Sequence, residues 1–284
     1  MMKLEQIKQA YSSFQLGEIS MDIAKGYIVG MLGENGAGKS TLLKIMLGYQ
    51  KPDSGKVFLD EQELWASEQN QKDVKNQLGF VLNEELFSSY NTLLDNGLRY
   101  GKYYSRYAHS KLQQYLQEFG LDGRKKYGKL SRGEKLKFQF AFALAHDPRV
   151  LLLDEPLGSF DMAFREKFLK HLTSFVEDGE HSVILVSHLT QELDQIADYI
   201  ALIHRGRLMD FSDIESLREK YRLVSGEKNK IDLLQKDSVI YQEEGTYSTK
   251  ALVKHAPANS YDKELEVEVP TLEDIFYYRI KGEQ

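Results

Sequence analysis

The run Gly33-Glu34-Asn35-Gly36-Ala37-Gly38-Lys39-Ser40-Thr41 constrains this chain more than any other stretch. It fits G-x-x-x-x-G-K-[ST], a pattern whose glycines let backbone N–H groups turn inward onto phosphate oxygens. Its setting supports that reading. Tyr27-Ile28-Val29-Gly30-Met31-Leu32 before it reads as a short buried strand, and Thr41 to Leu47 after it reads as a helix ending near Gly48. Strand, glycine loop and helix is the order needed to place a helix N-terminus against an anion. In that arrangement Lys39 reaches the outer phosphates and the Ser40 hydroxyl ligates magnesium.

At 284 residues the chain exceeds one average domain without clearly making two. It contains no cysteine, so disulfides and thiolate metal sites are excluded, and a reducing compartment fits. The formal charge of −6 argues against a nucleic-acid partner. The apolar run Val150 to Leu153 stops at Asp154, far short of a membrane span. The mixed, polar start of the chain is not expected to be a secretory leader.

Along the chain, the first 25 residues read as edge strands leading into the Lys25-Gly26 turn. Strands are expected at Gly55–Asp60 and Leu78–Leu82. From about Asn91 to Tyr127 the text turns tyrosine-rich and helical, with helices over Thr92–Tyr103 and Ser110–Phe119, as an insert would. Alternating text then resumes: a helix opened by Ser131-Arg132-Gly133-Glu134, a strand at Val150–Leu153, a helix at Arg165–Phe175, a strand at Ser182–Val186, a helix near Gln191–Ala197 and a strand at Tyr199–Ile203. That alternation predicts an α/β chain with a largely parallel sheet. Beyond about Phe211 come a short helix at Ser212–Glu219, strand-like pieces at Ser238–Gln242, Thr249–Lys254 and Glu264–Val269, and a closing helix after Pro270 with Thr271 near its cap.

Three further features carry chemistry. Asp154 and Glu155 end an apolar strand, where open α/β sheets bind ligands; Asp154 suits magnesium and Glu155 suits an attacking water. As a pair they also fit ordinary helix caps, and the phosphate loop upstream tips the balance. His188 follows the strand ending at Val186, where an imidazole can bond a γ-phosphate and the attacking water. Leu130-Ser131-Arg132-Gly133-Glu134 makes a second anion site at a helix N-terminus, with Ser131 and Glu134 spaced as a capping box. One sheet domain does not need two such sites for one phosphate, so this loop is expected to serve nucleotide bound to a second subunit.

In its first 210 residues or so, the chain resembles the ATP-binding subunits of ABC transporters. The resemblance rests on Gly33–Thr41, Leu130–Glu134, Asp154-Glu155, the loop Gly158-Ser159-Phe160-Asp161, and His188, in that family's order. It implies a phosphate-loop ATPase core with an antiparallel β subdomain, a helical insert at about 85–129, and a head-to-tail dimer with ATP between the phosphate loop of one subunit and the signature loop of the other. By the same resemblance Asn35, Gly36, Gly38, Lys39, Ser40 and Thr41 hold the ATP phosphates, Tyr11 stacks on adenine, and Ser131, Gly133 and Asp161 complete the opposite site. Ser40, Asp154 and Asn83 are expected to attend Mg2+. Glu155 is the expected general base, with His188 and Asn83 as its catalytic companions. The implied partners are a membrane permease gripped by the insert and a second ATPase subunit, identical or related. The implied location is the cytoplasmic face of the membrane.

The sequence departs from the family pattern in places. The signature usually reads serine-glycine-glycine-glutamine, whereas here Arg132 and Glu134 take the second and fourth positions; Arg132 occurs in a subfamily of bacterial exporters. The lid glutamine falls on Asn83, one methylene shorter, with Glu84 as a possible substitute. Leu157 replaces a threonine and Phe160 a leucine. The signature helix and the tail Pro270–Phe276 resemble Gram-positive exporter ATPases often encoded beside a GntR-type regulator, some of them implicated in export of amphipathic or antimicrobial peptides. A boundary is expected near residue 210, with 211–284 a small α+β unit that either helps the subunits pair or is a variable appendage with no separate job. The competing readings are a soluble ABC ATPase acting away from membranes and a regulatory module that binds ATP without hydrolysing it.

Overall fold

A computed structural model describes residues 1–254 and 261–283. In chain order, strands β1 (Met2–Ala10) and β2 (Gln15–Ile23) precede β3 (Ile28–Leu32), the phosphate loop and helix α1 (Lys39–Met46). Next come β4 (Ser54–Leu59), β5 (Gln62–Glu63), α2 (Glu68–Lys75) and β6 (Leu78–Val81). The insert holds α3 (Leu93–Gly101) and α4 (His109–Glu118). It is followed by α5 (Arg132–Ala145), β7 (Val150–Asp154), α6 (Met162–Val176), β8 (Ser182–Val186), α7 (Thr190–Ile196) and β9 (Tyr199–His204). The remainder is β10 (Arg207–Asp213), α8 (Ile214–Glu219), β11 (Tyr221–Gly226), α9 (Lys228–Ile231), β12 (Val239–Glu244), β13 (Thr249–Lys254), β14 (Glu266–Glu268) and α10 (Leu272–Gly282).

The central sheet has the order β10-β9-β3-β8-β7-β6, parallel except for β10. Its five parallel strands are mostly apolar because both faces are covered, whereas the antiparallel edge strand β10 is mixed and only partly buried. Successive side chains alternate between faces, so Leu151, Leu153, Val183 and Leu185 enter one core while Val150, Leu152, Ile184 and Val186 enter the other. The second core also takes α1 and an antiparallel sheet, β2-β1-β4-β5. The first takes α5, α6 and the insert. Phe87 meets Phe138 and Phe142 of α5 at ring-centroid distances of 4.8 and 5.2 Å, edge to face. Such pairs each add about 0.5–1.5 kcal/mol beyond their buried area, and they fasten the insert to the helix behind the signature loop.

The tail is a four-stranded antiparallel sheet, β12-β13-β11-β14, closed by α10. Its central strand β11 was absent from the strand-like pieces expected. The charged residues around it mask Leu223 and Val224, which are buried. Strand β10 runs to Asp213, where a helix was expected from Ser212; the Asp213 side chain caps α8. Helix α2 was also unforeseen, being almost wholly polar. Thr271 caps α10 as expected, in a full capping box with Asp274. The tail is not a detached unit. Leu223, Leu252, Leu272, Ile275 and Tyr278 belong to the same apolar cluster as Leu193 of α7 and the first core.

Candidate nucleotide-binding site

Strand register builds the site. Met31 pairs with Val186 and Asp154 with Val186, so β3, β7 and β8 end level at one edge of the sheet. The phosphate loop, Asp154-Glu155 and Ser187-His188 therefore emerge side by side. The loop turns through Gly36 (φ 79°) and Gly38 (φ 106°), left-handed conformations that glycine adopts without strain. A side chain at Gly38 would also strike Phe14, whose ring lies 2.8 Å from where a Cβ would sit.

Asn35, Gly36, Gly38, Lys39, Ser40, Thr41, Asn83, Asp154 and Glu155 line one cavity of about 640 Å³, joined by Ser13 and Phe14. Lys39 is buried and donates to the carbonyls of Gly33 (2.6 Å) and Glu34 (3.0 Å). Burial pushes its pKa down, and Glu155, Asp154 and Glu34 oppose that shift. Burial pushes Asp154 up, while a hydrogen bond from Ser40 Oγ to Oδ1 at 3.4 Å works against it. Glu155 takes a left-handed conformation (φ 48°), rare for a side chain of its size. Its N–H donates to the Val186 carbonyl at 3.0 Å. One carboxylate oxygen lies 3.9 Å from Lys39 Nζ and the other 3.3 Å from His188 Nδ1. Backbone strain of this kind concentrates at functional positions.

Other expected residues lie elsewhere. His188 touches the cavity through Glu155 and itself lines a neighbouring space with Glu34 and α10. Tyr11 is not in the cavity wall; its hydroxyl donates to Gln50 at 2.8 Å and its ring stands 6.3 Å from Phe14. Ser131, Gly133 and Asp161 are also outside the wall. Ser131 caps α5, and Asp161 caps α6 while pairing with Lys137 at 2.9 Å. A Cβ on Gly133 would lie 2.6 Å from the Ser159 carbonyl, so the signature helix packs directly on the loop that leads to Asp161. Glu134 closes the capping box on the Ser131 N–H at 2.7 Å and accepts from Lys125 at 2.8 Å.

Ser13 and Phe14 were missed by sequence reasoning. The signal for them was an aromatic in the turn between β1, which proves interior to its sheet and not an edge strand, and β2; Tyr11 competed for the same role. Among the described residues, no group of three or more histidine and carboxylate side chains forms a self-contained metal site.

A family model described as ABC transporter matches residues 16–158. A probable sulfate/thiosulfate import ATP-binding protein CysA of Chlorella vulgaris is 31% identical over 229 residues, covering 76% of this chain and 92% of that protein. The bacitracin transport ATP-binding protein BcrA of Bacillus licheniformis is 27% identical over 213 residues, covering 74% of this chain and 69% of that protein. Among the first curated relatives, the share of their own length that is matched runs from 54% to 92%. In structure, the chain resembles the ADP- and phosphate-bound dimeric cassette MJ0796, with a TM-score of 0.69 and 23% identity over 75% of this chain and 99% of that one.

Proposed function

The chain belongs to the ABC transporter ATP-binding family, and from that premise we propose that it is the ATP-hydrolysing motor of an exporter, working as a dimer on a separate membrane permease. The observation that carries the hydrolytic part is the meeting of Lys39, Ser40, Asp154 and Glu155 in one cavity at the level ends of three strands. The loop N–H groups and Lys39 bind the β- and γ-phosphates. Tyr11, outside the cavity wall but with its ring 6.3 Å from Phe14, would stack on the base at the cavity mouth. Magnesium fits this donor set: one hydroxyl and one carboxylate, with phosphates and water for the rest, is its ordinary mode of binding, and no all-protein cage is needed. Ser40 and Asp154 would hold it, with Asn83 nearby, and when bound it neutralises charge on the phosphates.

Glu155 accepts the proton of the attacking water. Its carboxylate lies between Lys39 and His188, so the imidazole orients the carboxylate and bonds the γ-phosphate side. Steady-state hydrolysis tests this assignment. Glu155→Gln is expected to lose turnover by about 10²–10⁴-fold while still binding ATP, and wild-type turnover in that variant would refute it.

The dimer is supported by what the cavity lacks. Ser131, Gly133 and Asp161 form an ordered helix-capping surface outside it, free to finish a site on a second subunit. The neighbouring cassette is itself dimeric. A permease is supported by a groove of about 570 Å³ between the insert and the catalytic sheet, with an aromatic wall that includes Tyr49, Phe80, Tyr100 and Tyr103 and a charged wall of Lys72, Asp73 and Lys75 from α2. It suits an amphipathic segment of another chain. No helix among the described residues is long and apolar enough to cross a membrane, so the permease would supply the span and hold this subunit at its cytoplasmic face. Export of an amphipathic or antimicrobial peptide is favoured by the tail and signature resemblance and by the bacitracin transport relative, against import names among other relatives. Substrate movement in inverted vesicles with the native permease decides the direction. We place residues 211–284 as a unit that supports pairing from beside the site, since α10 packs on α7 and shares a cavity with His188.

A further inference from the structure

Arg132 stands where the family pattern has glycine, and none of the roles above uses it. Its guanidinium donates to Asn83 Oδ1 at 3.0 Å, and Asn83 Nδ2 donates to the Asp154 carbonyl at 3.2 Å. The partners dictate which way round the carboxamide lies. A guanidinium only donates and a peptide carbonyl only accepts, so the amide oxygen faces α5 and the NH2 faces the end of β7. Asn83 thus presents a donor, not an acceptor, to the acidic strand end.

The backbone on both sides of Asn83 is pinned to the same helix. Buried Gln139 accepts from the Leu82 N–H at 2.8 Å and donates to the Glu84 carbonyl at 3.2 Å. Lys135 pairs with Glu85. Arg132, Lys135 and Gln139 are spaced along one face of α5, and that face holds the whole loop from Leu82 to Glu85. On its other side the loop is tied to α1, where Lys44 meets Glu84 at 2.9 Å.

We propose that Arg132 is a positioning residue that acts through Asn83, tying the signature helix to the Asp154 carbonyl and so setting the Asp154 and Glu155 carboxylates for reaction. The proposal rests on the reading of those carboxylates given above. It makes two departures from the family pattern into one device. Asparagine is one methylene shorter than the usual glutamine, and the long arm of Arg132 spans the distance that the short side chain leaves. A glycine at 132 would leave Asn83 Oδ1 without this donor.

The test compares Arg132→Ala, Asn83→Ala and the double variant in the full chain. Loss of a hydrogen bond to a charged donor predicts that kcat for ATP falls about tenfold in each single variant, with KM within about twofold. The double variant is expected to fall no further, because both changes break one link. Arg132→Lys, with a single point charge, should recover part of the loss. In the nucleotide-free chain, the Asn83 side-chain NH2 resonances, assigned by their absence in Asn83→Ala, should shift in Arg132→Ala. Additive losses, unmoved Asn83 resonances, or a rise in KM with unchanged kcat would each overturn the proposal. Glu155→Gln separates the two layers: wild-type turnover there refutes the reading of the site, while lost turnover there with additive Arg132 and Asn83 effects refutes the tether alone.

Discussion

Glu134→Gln restores the side chain usual in the family and should cost stability in a pH-dependent way. Glutamine keeps the acceptor for the Ser131 N–H but loses the ion pair with Lys125 and the negative charge at the positive end of α5. The pair is about one-third exposed on each side (36% and 33%), which puts it near the weak range of about 0.2–1 kcal/mol. The charge–dipole effect at a helix start is about 0.3–1 kcal/mol. Both draw on one charge, so we expect a total of about 1 kcal/mol, or about 2–4 °C in Tm for a chain of this size. The sign with pH follows from the carboxyl itself. The hydrogen bond from Lys125, and then that from the Ser131 N–H, hold Glu134 below its ordinary value of 4.5. A carboxyl lowered in the folded state stabilises above its unfolded pKa, and that contribution is lost as pH falls through the folded value. The gap between wild type and variant should therefore be widest at neutral pH and close on acidification below 4.5. Urea unfolding of both proteins across a pH series measures it, with equal m-values as the control. A gap that persists at the acid end, or a variant more stable than wild type at neutral pH, would refute the reasoning.

Other expectations are equally direct. Lys39→Met should weaken ATP binding by about 10–100-fold, the worth of a charged hydrogen bond in a buried site; titration with a non-hydrolysable analogue measures it, and unchanged affinity would remove Lys39 from the site. Gly133→Ala drives a methyl to 2.6 Å from the Ser159 carbonyl. Overpacking of that kind costs about 1–3 kcal/mol, so a thermal melt matching wild type would count against the contact. Burial pushes His146 down to about 4, although its two ring nitrogens face the Phe142 and Leu78 carbonyls, only one of which a neutral ring can donate to. A ring kept neutral by the fold stabilises above 6.5, and that contribution is lost as pH falls from 6.5 toward about 4. His146→Gln should flatten the stability profile across that window, and an unchanged slope would refute it.

Most of the sheet was legible because its signals are local. Val150–Leu153 and Val183–Val186 are continuous apolar runs, too short for a buried helix and suited to a strand covered on both faces. The phosphate loop, Asp154 and Glu155 were legible because parallel strands that end level bring their loops together. The parts that were not legible depend on distant residues. Strand β11 is central in its sheet yet short and flanked by charge. Phe14 gains its place from Gly38 across the loop, and Arg132 from Asn83, 49 residues away. Glu134 likewise gains its partner from Lys125, in an ion pair that no local pattern announces.

The apolar cluster that runs from the insert through α5 and α7 into the tail has a consequence for anyone recombining this chain. Cutting after residue 210 would remove α10, which packs on α7 within the cluster that holds Leu193 and Ala197, and leave an apolar face near His188. Grafts that exchange tails between relatives should carry α7 as part of the exchanged piece. A seam placed before α7, rather than at the last strand of the ATPase sheet, is the one expected to yield soluble chimaeras.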